Sequence, residues 1–289
     1  MSLHLILGCM YSGKCYHPDT KVVGWDRNYH KVKDLKEGDK VIGWDGNPKL
    51  VTEVSNHVSP CYYIEYDGGN FSVSENHKMT FWYIKDKNII EYTAYEFDKN
   101  HKNEIENYRL ILSPLINGSS NYKDPYIIGL IYTPRIYINK EYKPETPINE
   151  IECIYNKYKN ILPEKLIHWD IKGRKEFCKG IFDGFGRKDL IKFKKDDIVY
   201  KISMIFWSIG VPNKISHNNK CSNKENWTIK LLRNIDTVDF KDYYLPISKF
   251  NKSGTHRVVG VTVEDHYITL DNFIIGHNSS QLINEMTKY

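Results

Sequence analysis

The sequence predicts a mixed fold, in which an all-β unit is interrupted by an inserted α/β unit. Three observations support this prediction. Short apolar runs separated by turn residues fill positions 21–66, a similar pattern returns at positions 257–275, and apolar residues at helical spacing mark the chain between them. Because short strands at regular intervals are typical of all-β folds, we expect the two end regions to form one β unit.

The N-terminal strands are predicted from apolar runs that each end in a turn signal. Residues 22–25, 32–35 and 41–44 are such runs, and they precede 26–28, 37–39 and 45–48, which are rich in Asp, Asn, Gly and Pro. Near the other end, residues 257–263 and 267–275 are predicted as two single strands. They flank the polar triplet Glu264-Asp265-His266.

The middle of the chain has a different pattern. Residues 126–131, 147–159, 175–183 and 200–209 have the apolar spacing of helices. The low-complexity string Asn117-Gly118-Ser119-Ser120-Asn121 marks the first boundary of the insertion. We therefore assign residues 15–118 and 246–278 to the β unit and 119–245 to the inserted unit, with 1–14 and 279–289 as flanks.

The composition suits a globular protein in a reducing compartment. The 289 residues carry a net charge of +5, which permits nucleic-acid contact without requiring it. No apolar stretch approaches the roughly 20 residues of a membrane span, and signal-peptide features are missing from the N-terminus. The cysteines form no Cys-x-x-Cys pair, so neither a zinc site nor a disulfide framework is indicated, and we expect a cytoplasmic location without membrane binding. These cysteines are Cys9, Cys15, Cys61, Cys153, Cys178 and Cys221.

A phosphate-binding loop begins near the N-terminus but is not completed there. Gly8, Gly13 and Lys14 supply G-x-x-x-x-G-K after the apolar run 5–7, yet the next residue is Cys15 instead of the Ser or Thr that binds magnesium. Deleting residues 15–278 joins LILGCMYSGK to SSQLINEM, and Ser279 then supplies the hydroxyl. The joined text has the strand, loop and helix that an ATP-binding and Mg²⁺-binding loop requires.

The removable block resembles an intein, a self-excising protein segment with an all-β horseshoe fold of the Hint type. CYHPDTKVVGWD with VKDLKEGDKVIGWDG is similar to the N-terminal block of that family, FSVSENHKM to its internal histidine block, and VVGVTVEDHYITLDNFIIGHN to its C-terminal block. The resemblance covers essentially the whole chain. It implies autocatalytic splicing in cis, without a cofactor, by a protein that we expect to be a monomer.

The resemblance also implies a role for each matched residue. Cys15 attacks the carbonyl of Lys14 and forms a thioester, since sulfur is both a good nucleophile and a good leaving group. His77 protonates the leaving nitrogen, with Ser74 at a position where Thr is more usual. Ser279 takes over the acyl group, and Asn278 cyclises with help from His277, which cuts the chain before Ser279.

Two positions depart from the family pattern. Gly260 stands where the C-terminal block often carries an acid, and Tyr267 stands where it often has a histidine. The group that adjusts the reactivity of the Cys15 thiol is therefore left open. Asp265 and His266 are candidates, and the alternative is that both are exposed turn residues.

The flanks resemble the phosphate loop of thymidine kinases of the type found in bacteria and large DNA viruses. This match rests on about 20 residues. A nucleotide-binding kinase is therefore a second candidate function, with ATP and magnesium needed only after splicing. The flanks alone supply one strand, one loop and one short helix, too little to form a core.

The inserted unit resembles a LAGLIDADG-type homing endonuclease. Residues 126–135 and 177–186 match its two signature helices, which imply a metal-binding acid near each helix end. Alignment of the family motif from Gly129 and Gly180 places Pro134 and Phe185 at these two metal-binding positions. The motif has a second acid two residues earlier, where the two copies have Tyr132 and Asp183. We therefore predict a unit that no longer cuts DNA, with DNA binding by this unit as a third candidate function.

Overall fold

The computed structural model describes two long stretches of the β unit and most of the region between them. The described residues are 15–26, 28–43, 45–112, 124–133, 148–158, 166–193, 196–218, 226–237, 244–264, 268–270, 272 and 274–276. None of the helices within these residues is long and apolar enough to cross a membrane.

Strands dominate both end regions, and helices are concentrated between them. The strands are β1 (Cys15–Tyr16), β2 (Lys21–Val23), β3 (Tyr29–Lys31), β4 (Lys40–Ile42), β5 (Pro48–Tyr66), β6 (Gly69–Ser74), β7 (Lys78–Tyr83), β8 (Asn88–Thr93), β9 (Tyr108–Ile111), β10 (Leu190–Phe193), β11 (Asn213–Asn218), β12 (Asn226–Leu231), β13 (Tyr244–Val263), β14 (Ile268–Thr269) and β15 (Ile275–Gly276). The α-helices are α1 (Ala94–Asn100), α2 (Pro125–Ile131), α3 (Ile148–Tyr158), α4 (Ile171–Gly184) and α5 (Asp196–Ser208).

An antiparallel sheet joins the two end regions of the chain. Its strand order is β4-β5-β6-β1-β13-β9-β7-β8, and β5 also pairs directly with β13. Since β5 pairs with β6, β6 with β1, β1 with β13, and β13 with β5, these four strands form a closed ring. Strands from the two end regions of the chain therefore lie in one sheet.

Two strands are far longer than the short strands that the sequence predicts. β5 has 19 residues and β13 has 20, and they pair along most of their length with three shifts of register. The predicted strand at 257–263 is the last part of β13. The polar residues in the middle of β5, of which Thr52 and Asn56 are exposed, conceal its continuity in the sequence.

Two predicted strands are wrong in detail. Val32–Asp34 is a 3₁₀ helix, in which Val32 and Leu35, three residues apart, are both buried. The predicted single strand at 267–275 is a hairpin of β14 and β15, because Asn272 adopts a left-handed φ of 63° and reverses the chain.

The four predicted helices are present as α2, α3, α4 and α5, beside a three-stranded sheet of β10, β12 and β11. Helices α2 and α4 pack through reciprocal glycine contacts. A Cβ atom on Gly129 would lie 2.1 Å from the carbonyl oxygen of Phe177, and one on Gly180 would lie 2.1 Å from that of Tyr126. The two contacts are related by one constant offset in sequence, so the helix pair has approximate two-fold symmetry, and only glycine permits so close an approach.

The helical region packs against the β unit. Trp207 of α5 lies over Gly68 in the turn between β5 and β6, where a Cβ atom would be 2.5 Å from its ring. His168 packs edge-on against Trp25 with ring centroids 5.7 Å apart. These contacts join both regions in one hydrophobic core.

Candidate functional site

Cys15 occupies the strand that closes the four-stranded ring. Strand β1 pairs with β6 on one side and with β13 on the other, where Cys15 is opposite Gly260. The Cys15 side chain is 3% exposed and packs with Cys61 and Val258. A two-residue strand with partners on both edges is held firmly, so the thiol has a defined position.

Ser74 lies beside Cys15 in the neighbouring strand. Tyr16 pairs with Val73, and the amide of His17 donates to the carbonyl of Ser72, so the antiparallel register places Cys15 next to Ser74. Directly opposed residues point to the same face. The Ser74 hydroxyl is buried and has no hydrogen-bond partner among the described residues.

Gly260 provides the space in which the thiol and a second hydroxyl meet. A Cβ atom at Gly260 would lie 2.5 Å from Oγ of Ser55 and 3.1 Å from Sγ of Cys15. Ser55 is the partner of Gly260 in β5. The position that departs from the family pattern therefore has no room for a carboxylate in this arrangement.

His77 is held in the tight turn that follows β6. Its amide donates to the carbonyl of Ser74 at 3.0 Å, and its own carbonyl accepts from the amide of Ala94 at 2.9 Å. The imidazole is 2% exposed and meets the ring of Tyr16 edge-on, with centroids 4.6 Å apart. The structure thus brings His77 next to the residue that follows Cys15.

The end of the β15 strand approaches the same tyrosine. A Cβ atom at Gly276 would lie 2.2 Å from Oη of Tyr16. A small cavity is lined by Tyr16, His77 and Gly276 together with apolar side chains and Thr80. Residue 276 directly precedes the predicted C-terminal pair His277-Asn278, so the N-terminal strand, His77 and the C-terminal strand converge on one tyrosine.

The phenol of Tyr16 and the thiol of Cys61 are both buried in the site. Burial raises the pKa of Tyr16, so this residue serves as a neutral packing element and not as a base. Burial also raises the pKa of Cys61, whose thiol donates to the carbonyl of Ser59 at 3.3 Å. Cys61 is therefore a poor competitor of Cys15 as nucleophile.

His57 is a residue that the sequence did not indicate. Its Nδ1 lies 3.8 Å from Sγ of Cys15, and its ring is half-buried in the middle of β5. No local motif marks it, because its approach to Cys15 depends on the pairing of β5 with β13. The pairing of Ser55 with Gly260 is hidden in the sequence for the same reason.

Several predicted site residues lie outside the described residues. They are Gly8, Gly13, Lys14, Asp265, His266, His277, Asn278 and Ser279, together with Tyr267. Their predicted roles remain predictions.

In the helical region, Asp183 is fully engaged in protein contacts. Its Oδ2 accepts a hydrogen bond from the Tyr126 hydroxyl at 2.8 Å, and its Oδ1 pairs with Nε of Arg187 at 2.9 Å. Phe185 packs against Phe193, and Pro134 lies outside the described residues. Within the described part of the chain, no three His, Cys, Asp or Glu side chains are grouped so that they could hold a metal ion.

Comparisons with known proteins return structural similarities alone. No family model and no curated protein matches the sequence. Among solved structures, the gp41-1 intein is 10% identical, with 91% of this chain and 98% of that chain covered and a TM-score of 0.38. The zinc-bound Msm DnaB1 intein splicing domain is 10% identical (91% and 99% covered, TM-score 0.38). An intein-like domain from Clostridium thermocellum is 11% identical (92% and 99% covered, TM-score 0.37).

Proposed function

We propose that the chain is a self-splicing precursor, in which residues 15–278 excise themselves and join Lys14 to Ser279. The observation that carries this proposal is the convergence on Tyr16. The predicted nucleophile Cys15 precedes it, His77 contacts its ring, and Gly276, directly before His277, packs against its hydroxyl. The strands that adjoin the two predicted cleavage points lie side by side, which supports a reaction that joins the two flanks.

The first step is an acyl shift at Cys15. Its sulfur attacks the carbonyl carbon of Lys14, the peptide C–N bond breaks, and a thioester and a free amine result. His77 supplies a proton to the departing nitrogen. The buried Ser74 hydroxyl is free to hydrogen-bond to the reacting peptide, since it has no partner among the described residues. Burial of Ser74 and His77 strengthens both interactions.

The remaining steps complete the excision. The Ser279 hydroxyl attacks the thioester carbonyl and releases the Cys15 thiol, which leaves the N-terminal flank on Ser279 as an ester. The Asn278 amide nitrogen then attacks its own carbonyl carbon, which breaks the bond to Ser279 and forms a succinimide. His277 polarises that carbonyl. The ester finally shifts to the free amine of Ser279. Each step is internal, so splicing itself needs neither a cofactor nor ATP.

We also propose that the spliced flanks restore a kinase phosphate loop, and that the inserted unit descends from a LAGLIDADG-type endonuclease without cleavage activity. The reciprocal contacts of Gly129 and Gly180 support the ancestry. The absence of cleavage is supported by Asp183, whose two oxygens are held by Tyr126 and Arg187, and by Phe185 at a position that requires an acid. Magnesium requires free oxygen ligands.

Mass spectrometry of freshly expressed protein tests the splicing proposal. We expect a free block of residues 15–278 that ends in succinimide or Asn278, and a peptide that joins residues 1–14 to 279–289. Unspliced precursor that persists for days in reducing buffer would contradict the proposal.

Two variants separate the steps. Cys15→Ala should abolish ligation but allow slow cleavage before Ser279, because Asn278 cyclises independently. Asn278→Ala should block release of the C-terminal flank and leave a thioester that dithiothreitol cleaves. Ligated flanks from the Asn278→Ala precursor would show that the assigned mechanism is wrong.

For the inserted unit, magnesium-dependent double-strand cleavage of the uninterrupted gene by the purified 15–278 block would contradict the proposal that this unit has no cleavage activity.

A further inference from the structure

The thiol of Cys15 has an imidazole beside it that the splicing steps above do not use. Sγ of Cys15 and Nδ1 of His57 are 3.8 Å apart, a hydrogen-bonding distance for the large sulfur atom. His57 stands opposite Val258 in the paired strands β5 and β13. Val258 is fully buried against Cys15, so the histidine is placed by the same packing that places the nucleophile.

Strands β13, β6 and β5 place further residues around Cys15. From β13 it meets Val258 and Gly260, and from β6 it meets Ser74. From β5 it meets Cys61, whose pKa is raised by burial and by the charge of Glu75. Among these neighbours, His57 is the titratable group whose imidazole lies within hydrogen-bonding distance of the thiol. Imidazole is well suited to accept a proton near neutral pH.

The two histidines lie on opposite faces of β1. Successive side chains of a strand point to opposite faces. Cys15 faces His57, while Tyr16 faces His77. One imidazole is thus placed at the attacking sulfur, and the other is placed on the far side of the strand.

We propose that His57 is the general base of the first acyl shift, a role that rests on the splicing function proposed above. Nδ1 of His57 takes the Sγ–H proton as sulfur bonds to the carbonyl carbon of Lys14. The bond from that carbon to the Cys15 nitrogen then breaks, and His77 donates the proton that makes this nitrogen an amine. His57 then passes its proton to solvent, and His77 takes up a proton from solvent. The amide and the thiol thus become a thioester and an amine without a net gain or loss of protons.

The test uses the full precursor with Asn278→Ala and measures release of residues 1–14 by dithiothreitol, followed by mass spectrometry. His57→Gln should slow this release by about 10²–10⁴-fold, the usual loss when a general base is removed. His256→Gln is the matched control. His256 lies in the same strand pair and is also partly buried, but its Nε2 is hydrogen-bonded to the Ser253 carbonyl. The His256→Gln precursor should therefore release residues 1–14 at a rate within a few fold of the parent precursor.

The outcomes separate this inference from the proposed function. A parent precursor that releases nothing would refute splicing itself. A parent that releases the peptide, with His57→Gln equally fast, would refute only the role of His57. In the Cys15→Ala background, His57→Gln should still cleave before Ser279 at the unchanged rate, and loss of that cleavage would show a structural role instead. Added imidazole should restore part of the release rate of the His57→Ala precursor. A release rate that does not change with added imidazole would count against a base at this position.

Discussion

Substitution of Gly260 by alanine should damage the site through contact alone. The added methyl carbon would lie 2.5 Å from Oγ of Ser55 and 3.1 Å from Sγ of Cys15. Ordinary carbon contacts are about 3.5–4.0 Å, so Ser55 has to move by about 1 Å. Overpacking of this size typically costs about 1–3 kcal/mol of unfolding free energy.

A double-mutant cycle isolates that contact. In a Cys15→Ala/Asn278→Ala precursor, which cannot splice, Gly260→Ala should lower the urea midpoint by on the order of 1 M if the slope is about 2 kcal/mol per M. Ser55→Ala removes the clashing oxygen and leaves its Cβ atom at an acceptable 3.9 Å. The double substitution should therefore recover most of the loss, with a coupling energy of about 1 kcal/mol or more.

The same substitution should slow the chemistry when Cys15 is present. In the Asn278→Ala precursor, displacement of Sγ from the Lys14 carbonyl should slow thioester formation by about 10–10²-fold, because reacting atoms must be held within a fraction of an ångström. The assay is dithiothreitol-induced release of residues 1–14. Equal stability and equal release rates for the Gly260→Ala precursor and its parent would refute the packing that we describe around Cys15.

Three further substitutions or probes test other contacts. Gly129→Ala would place a methyl carbon 2.1 Å from a backbone carbonyl oxygen of α4, so the urea midpoint should fall clearly, and an unchanged midpoint would contradict the close helix pair. Iodoacetamide at pH 8 should label exposed Cys153 quickly and Cys178 slowly, because burial raises the pKa of Cys178 and lowers its thiolate fraction; equal labelling in peptide maps would contradict this. Gly276→Ala would place a methyl carbon 2.2 Å from the Tyr16 hydroxyl, so cleavage before Ser279 in the Cys15→Ala precursor should slow severalfold, and an unchanged rate would count against the convergence on Tyr16.

Local patterns allowed part of the site to be predicted, and long-range pairing supplied the rest. Cys15, Ser74 and His77 stand in short blocks whose residue types identify them, and the structure brings all three to adjoining positions. His57 and Ser55 contact Cys15 or its partner only because β5 pairs with β13, whose residues are about 200 positions away in the chain. A single sequence contains no signal for the register of so distant a pair.

The fold was predictable to a similar degree. Helix positions followed from apolar spacing, although α2 has six of its seven residues buried and so lacks a single apolar face. The 3₁₀ helix at Val32–Asp34 was missed since a short apolar run fits both a strand and a tight turn. The reversal at Asn272 was missed because asparagine enters the left-handed region without any glycine or proline to mark it.

The sheet topology separates the point where the helical region joins the sheet from the site at Cys15. Tyr244, at the start of β13, pairs with Ile111, at the end of β9, so the chain leaves the β unit and returns to it at adjoining positions. Gly260 lies much further along β13, at a contour distance of roughly 50 Å if each strand residue advances about 3.3 Å. The helical region is therefore attached at one end of the long strand, while Cys15 is held near the other. If the inserted unit descends from an endonuclease as proposed, the loss of its metal-binding acids near Asp183 and Phe185 would leave the strand pairing around Cys15 unchanged.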